Sequence, residues 1–264
     1  MARILAVSSF LAHGKVGLMA NVAALRALGH EVLQFPTILL SNHPGYAHAA
    51  GERVSCALLM KMLDAMESNG WLGDDISAVL TGYLPTASHV AFAQETLERV
   101  RRHSPAALYV CDPIIGDDPN GIYIDRLAAE AIRDHLVPVA DVLTPNRFEI
   151  SWLAGRAVDD PASTASAAAH LACQAVAATS IPRGASEILN VLVADGVTRT
   201  LASSRRAHVP HGTGDVFCGL LTGLLARGLS LPDAFVKADR MLQEVVALSS
   251  EREDLDLAPL MHIA

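Results

Sequence analysis

The sequence predicts an α/β fold: a mostly parallel central sheet flanked by helices, with an antiparallel hairpin late in the chain. Three observations point there. Short apolar runs of strand length alternate with segments whose apolar residues recur at helical spacing. Polar or acidic residues follow most of those runs directly, where open α/β sheets gather their ligands. Asp195-Gly196 separates two apolar or alternating runs, 186–194 and 197–201, which is a strong hairpin signal. The 264 residues suit one large domain or two small ones, and the unbroken alternation favours a single domain over 1–264.

Taken in order, residues 4–7 read as a buried strand ending at Ser8-Ser9. Residues 16–28 read as a helix stopped by Gly29, and 31–35 as a second strand. Residues 37–46 start apolar and become turn-like, and do not read as a plain connection. An amphipathic helix covers 54–67, with Val54, Leu58, Met62 and Met66 on one face. A strand at 76–80 ends at Thr81-Gly82-Tyr83, and a helix follows over about 86–102. The strand at 107–111 ends in Asp112-Pro113-Ile114-Ile115-Gly116-Asp117, which sets two carboxylates at another strand end. Pro119-Asn120-Gly121 is a turn signal before a helix at 125–136. A short strand at 141–143 leads to Thr144-Pro145-Asn146-Arg147-Phe148-Glu149, where the i, i+3 spacing lets Asn146 and Glu149 share a helical face. A helix at 161–173 precedes a strand at 175–179, which ends at Thr179-Ser180. After the hairpin come helices at 213–227 and about 231–248.

Composition narrows the function. The chain is 51% hydrophobic and 18% charged, enough apolar material for a large core. Its net charge of −8, the lack of any basic run and an aromatic content of 5% argue against nucleic acid binding. An acidic protein can still bind ATP, because backbone dipoles and Mg2+ do that work. The four scattered cysteines (Cys56, Cys111, Cys173, Cys218) read as buried thiols of a reducing compartment. The first apolar run is too short for a signal peptide, and no stretch approaches the ~20 apolar residues that span a bilayer. A cytoplasmic protein with no membrane association is expected.

The stretch 211–219, His-Gly-Thr-Gly-Asp-Val-Phe-Cys-Gly, carries the chemistry. Gly212 and Gly214 let backbone N–H groups around Thr213 turn toward a ligand, and the helix beginning there adds unpaired N–H groups and its positive dipole end. Together they form an anion site. Asp215 in the same turn repels an anion and is better placed as a base beside one, although it could simply cap the helix. An anion cradle next to a carboxylate base suggests phosphoryl transfer to a hydroxyl, a reaction that depends on positioning and charge neutralisation. Asp112, Asp117 and Glu149 are the carboxylates available to Mg2+, with Asp112 also readable as a turn residue and Glu149 as a solvated helix residue. In a parallel sheet Ser9, Thr37, Tyr83, Asp112, Thr144 and Thr179 share one edge, so a single crevice could collect them. Of the eleven histidines, His43 in Ser-Asn-His-Pro stands out. The chain has no P-loop, protein-kinase, dinucleotide-binding or nucleophile-elbow motif.

These residues together resemble the pyridoxal kinases of the ribokinase-like superfamily. The general features are Gly212-Thr213-Gly214-Asp215 and Asn146-x-x-Glu149. The more specific ones are Leu40-Ser41-Asn42-His43-Pro44-Gly45-Tyr46, Thr81-Gly82-Tyr83, Cys111 to Asp117, and Leu143 to Glu149. The resemblance runs from residue 4 to about 228. It implies a ribokinase-like three-layer sandwich and an ATP-dependent kinase acting on the 5′-hydroxymethyl group of pyridoxal. Asp215 would take the hydroxyl proton, and the N–H groups of Gly212, Thr213 and Gly214 would hold developing charge. Asp112, Asp117 and Glu149 would organise Mg2+, K+ and phosphate-bound water. Thr144 would sit beside the phosphates, with Thr179 and Ser180 bordering the nucleotide. Ser9, Val16, Thr37 and Tyr83 would line the pyridine pocket. Residues 117–124, including Tyr123, would form a flap over ATP, and a homodimer is implied.

Two departures bear on the substrate side. Phe10 stands where such kinases usually carry a histidine, and Leu18 where they usually carry an asparagine. Both are expected to affect the choice among pyridoxal, pyridoxine and pyridoxamine. The alternatives are a related kinase for hydroxymethylpyrimidine or a sugar, and a non-catalytic vitamin B6 binder on the same fold.

Overall fold

A computed structural model describes residues 1–262. The chain runs β1 (Arg3–Leu11), α1 (Leu18–Ala27), β2 (Glu31–Leu40), the short strand β3 (Gly51–Arg53), α2 (Cys56–Ser68), β4 (Ile76–Thr81), α3 (Ala87–His103) and β5 (Leu108–Cys111). A two-stranded ribbon of β6 (Gly116–Asp117) and β7 (Gly121–Ile122) precedes α4 (Arg126–Ala131), which continues into a π turn at Ile132–Leu136. Then come β8 (Val142–Leu143), α5 (Arg147–Ala154), α6 (Pro161–Ala168), β9 (Ala175–Arg183), β10 (Glu187–Ala194) and β11 (Val197–Ser204). α7 (Thr213–Ala226), α8 (Leu231–Ser249) and a final 3-10 turn follow.

Nine strands form one sheet in the order β11-β10-β9-β8-β5-β4-β1-β2-β3. The six strands β1, β2, β4, β5, β8 and β9 are parallel, with β3 and the β10–β11 hairpin antiparallel. The six parallel strands therefore present their C-terminal ends along one edge. Both faces are covered, which explains why the strands read as continuous apolar runs. Leu5, Val7, Val79, Tyr109, Leu143 and Val176 point into a core shared with α2, α3, α4, α5 and α6. Leu80, Val110, Val142, Ala177 and Leu192 point the other way, toward α7 and α8. The result is a three-layer α/β sandwich, as expected.

α7 is buried without interruption from Val216 to Leu224, between the sheet, α1 and α8. A helix apolar on all sides belongs in the interior. That burial matters for function, because it fixes where the first turn of α7 points.

The elements differ from expectation where neighbours extend them. β1 continues past Val7 because pairing to β2 resumes at Phe10 and Leu11, so Ser8 and Ser9 lie inside the strand and Thr37 inside β2. β9 runs on through Pro182, which a strand tolerates beyond its last bridge toward β8, at Thr179. The first helix starts at Leu18 because Gly17 (φ 56°) is not helical. The helix expected at 161–173 stops at Ala168. All four cysteines are free, but only Cys111 and Cys218 are buried; Cys56 and Cys173 are half-buried. Among the described residues no helix is long and apolar enough to cross a membrane.

Leu220 tests how far α7 depends on this packing. Its side chain is fully buried against both neighbouring helices' core. Leu220→Ala should destabilise the protein by about 2–5 kcal/mol, read as a lower urea midpoint at unchanged m.

Candidate active site

The site begins with hydroxyls that hold backbone. Ser8 Oγ accepts the Tyr83 N–H at 3.0 Å, and Thr37 Oγ1 donates to the Tyr83 carbonyl at 2.7 Å. These two bonds pin the segment after β4 against β1 and β2. The β1–β2 register slips between Ser8 and Phe10, and such a bulge re-aims a side chain. Ser9, between them, lines a cavity of about 490 Å³. Val16, Tyr83, Ile114 and Tyr123 supply further walls, and Gly212 and Asp215 close one side. At its rim the rings of His43 and His211 stack at 4.1 Å.

The cradle separates this cavity from two others. Gly212 is the N-cap of α7 with φ 103°, and a Cβ there would collide with the Lys15 carbonyl. Only glycine allows that approach, so the 15–17 backbone packs directly against the cradle. Val216 N makes the first intrahelical bond, to Gly212 O at 2.9 Å. The N–H groups of Thr213, Gly214 and Asp215 precede it and have no partner within the helix. Thr213 and Gly214 line a second cavity, of about 550 Å³, with Arg147, Thr179, Ser180 and Arg205. A third, of about 180 Å³, shares Thr179, Ser180, Thr213 and Gly214 with the second and reaches inward to Asn190, Phe217 and Gln243. Asp117 lines both the first and the second cavity, so the two adjoin at this residue.

Asp215 does not cap α7. The cap position is Gly212, and Asp215 Oδ1 is buried without a hydrogen-bond partner. Burial pushes this carboxyl up to about 6, against the opposing pull of the Gly17 N–H. Beneath it lies more uncompensated negative charge. Asp112 at the end of β5 is held well above the usual carboxylate range by burial and by the charges of Glu149 and Asp215. Burial raises Glu149 to about 7, although its oxygens accept the N–H groups of Ile115 (2.9 Å) and Asn146 (2.8 Å). Burial and the same carboxylates raise the Tyr123 phenol as well. A cluster of this kind, with no cation built into it, suits a ligand that brings positive charge.

Asn146 and Glu149 form a capping box rather than a shared helical face: Asn146 is the N-cap of α5, and each side chain bonds the other's backbone. Asn146 Nδ2 also donates to the Gly116 carbonyl at 2.8 Å, tying α5 to the ribbon. That ribbon, β6–β7, carries most of the expected flap. Among the described residues no three His, Cys, Asp or Glu side chains converge to hold a metal ion. Asp112, Asp117 and Glu149 therefore fit Mg2+ only as a hexacoordinate ion usually takes it, on one or two carboxylates with phosphate and water completing the shell. Thr144 Oγ1 is buried beside this cluster without a partner.

The expected residues thus divide. Ser9, Val16, Tyr83, Gly212 and Asp215 line the first cavity, and Thr179, Ser180, Thr213 and Gly214 the other two. Thr37 lies behind the first cavity with its hydroxyl engaged by Tyr83. Phe10 and Leu18 do not reach it: Leu18 is 1% exposed in a small apolar cluster with Ile4, Ala6 and Val22, and Phe10 packs on that cluster. Residues missed in the sequence are His211, Ile114, Asn190, Arg205, Arg206 and Gln243. The Arg205-Arg206 pair just before the cradle, in an acidic chain, was a readable signal; the others carried none.

A family model described as phosphomethylpyrimidine kinase matches residues 13–256. A pyridoxal kinase of Corynebacterium diphtheriae is 30% identical over 260 residues, covering 96% of this chain and 92% of that protein. A pyridoxine/pyridoxal/pyridoxamine kinase of Bordetella avium is 32% identical over 262 residues, covering 96% and 88%. The chain belongs to the pyridoxal kinase family. Among solved structures, a pyridoxal kinase of Leishmania donovani in complex with ADP and pyridoxamine superposes with a TM-score of 0.91 at 29% identity, covering 99% of this chain and 96% of that one. The ribokinase-like fold is therefore common to this family member and its relatives along nearly their full lengths.

The raised Asp215 carboxyl has a thermodynamic consequence in this pyridoxal kinase family member. Its folded pKa of about 6 lies above the ordinary 3.8, so ionising it costs the folded state. The penalty is absent below about pH 4 and complete once pH passes well above 6. Asp215→Asn, which cannot ionise, should be more stable than the parent by roughly 2–3 kcal/mol at pH 8 and equal to it below pH 4. Urea unfolding at both pH values checks this, and an identical difference at the two would refute it.

Proposed function

We propose that this protein transfers the γ-phosphate of ATP to the 5′-hydroxymethyl group of pyridoxal, forming pyridoxal 5′-phosphate in vitamin B6 salvage. The observation that carries the reading is Asp215: a raised carboxyl with an unpartnered oxygen, at the wall between an organic cavity and an anion cradle. The pyridine ring would lie among Val16, Ile114, Tyr83 and Tyr123, with Ser9 hydrogen-bonding its polar edge. ATP would occupy the two joined cavities, its phosphates over Thr213 and Gly214 near Arg147 and Arg205.

In the reaction the hydroxyl oxygen attacks the γ-phosphorus, the β–γ bridging P–O bond breaks, and ADP leaves. Asp215 accepts the hydroxyl proton. The free N–H groups at the start of α7 stabilise charge on the transferring group, and they are already oriented. Mg2+ on Asp112, Asp117 or Glu149, with K+ beside it, would neutralise phosphate charge. The 117–124 ribbon would close over the phosphates and exclude water, limiting ATP hydrolysis. The reading treats 1–264 as one kinase domain acting in the cytoplasm as a homodimer.

The test is an assay with ATP and Mg2+ against pyridoxal, pyridoxine, pyridoxamine, hydroxymethylpyrimidine and ribose. Pyridoxal 5′-phosphate formation is expected, and phosphorylation of the pyrimidine or sugar alone would overturn the reading. Asp215→Asn should lower kcat by ~10²–10⁴ with little change in pyridoxal binding. Tight pyridoxal binding with no turnover in the parent would make the protein a binder instead.

The acid limb of kcat/KM reports groups in the free enzyme. Activity should therefore fall as pH drops through about 6, where Asp215 becomes protonated. A flat profile down to pH 4.5 would remove Asp215 from the role of base.

A further inference from the structure

One buried polar pair is unexplained by the reaction. Asn190 on β10 and Asp239 on α8 are 7% and 9% exposed, in a layer otherwise formed by side chains such as Leu192, Phe217 and Leu242. Asn190 Nδ2 donates to Asp239 Oδ1 at 2.7 Å. A carboxylate only accepts, so this bond decides which end of the amide faces α8. The NH2 group turns to Asp239, and the carbonyl Oδ1 turns away from it. Asn190 also lines the cavity of about 180 Å³ that opens past Thr213 and Gly214 onto the cradle. Phe217, Leu242 and Val246 give that cavity apolar walls. Apolar walls beside a polar group held in one orientation are how proteins recognise a flat heteroaromatic ring, and Asn190 is the buried member of a polar lining that also includes Ser203, Arg206 and Gln243.

We infer that Asn190 is the specificity-determining residue for the nucleotide base, its Oδ1 accepting the exocyclic amino group of a 6-aminopurine, and that Asp239 is the positioning residue that sets its amide. The inference rests on the kinase reading above, which puts a nucleoside triphosphate in these cavities. A 6-ketopurine would bring its carbonyl against Asn190 Oδ1, two acceptors with no proton between them. A purine lacking the amino group would leave Oδ1 without its hydrogen bond. Buried polar groups left unpaired are what make such discrimination large.

The experiment measures binding rather than turnover, by calorimetry on the full chain at pH 7.5 with Mg2+ and no vitamer. The probes are ATP, purine riboside 5′-triphosphate and inosine 5′-triphosphate. The parent should bind ATP about 3–10-fold more tightly than the purine riboside triphosphate, and at least about tenfold more tightly than the inosine nucleotide. Asn190→Leu should erase the ATP preference while leaving the affinity for purine riboside triphosphate nearly unchanged. Asp239→Leu should reduce the preference although Asn190 is still present. Equal binding of the three nucleotides by the parent overturns the inference without any variant, so a failure of Asn190→Leu to fold does not protect it. A proportional loss for all three in both variants, with lowered Tm, makes the pair a structural tie and overturns it too. Absence of binding by every nucleotide would instead sink the kinase reading beneath it.

Discussion

Everything at the site depends on one conflict of charge, held in place at the first turn of α7. The bare N–H groups of Thr213, Gly214 and Asp215 call for an anion, while Asp215 brings a negative side chain into the same turn. A surface helix would relieve the conflict by fraying. α7 cannot, because Val216 to Leu224 are buried on all sides and Gly212 is wedged against the Lys15 carbonyl. The donors are therefore oriented before any ligand arrives, and no reorganisation is needed during reaction.

The strain is sizeable yet tolerable. Raising Asp215 from 3.8 to about 6 corresponds to roughly 3 kcal/mol at neutral pH. Truncating a single buried leucine of α7 is worth about as much. The apolar packing of one helix thus offsets the charge carried at its own end. Asp112 and Glu149 add to the cost, and for Glu149 backbone partners limit it: its bonds to Ile115 and Asn146 hold down its energy and, with Asn146 Nδ2 on the Gly116 carbonyl, fasten α5 to the ribbon. Stability and site geometry are here one set of contacts.

Much of the architecture was legible in the sequence because buried parallel strands and amphipathic helices leave period and run length behind. The hairpin announced itself through Asp195-Gly196, and the cradle through its glycines and the apolar helix after them. What escaped was determined across strands rather than along them. Nothing in Ser8 and Thr37 says that both will grip Tyr83; that follows from β1 lying between β2 and β4. The bulge that frees Ser9 exists only relative to β2. Phe10 and Leu18 looked like changes to a binding surface because they stand close in sequence to Ser9 and Gly17, whereas the pleat and the helix turn them into the core. Asn146 and Glu149 had the right spacing for a shared face, and the same spacing serves a capping box.

That misplacement of Phe10 and Leu18 has a structural meaning. Both pack with Ile4, Ala6 and Val22, Leu18 as a member of that cluster and Phe10 against it. A polar side chain at either position would be set against hydrocarbon, at a cost of about 1–3 kcal/mol. The organic cavity keeps Ser9 and Asp215 as its polar ends, with Val16, Ile114, Tyr83 and Tyr123 between. The cavities beyond the cradle mix apolar walls from Phe217, Leu242 and Val246 with Arg147, Arg205, Asn190 and the cradle amides. α7 is the element the two sides share, with Asp215 facing one and Thr213, Gly214 and Phe217 the other.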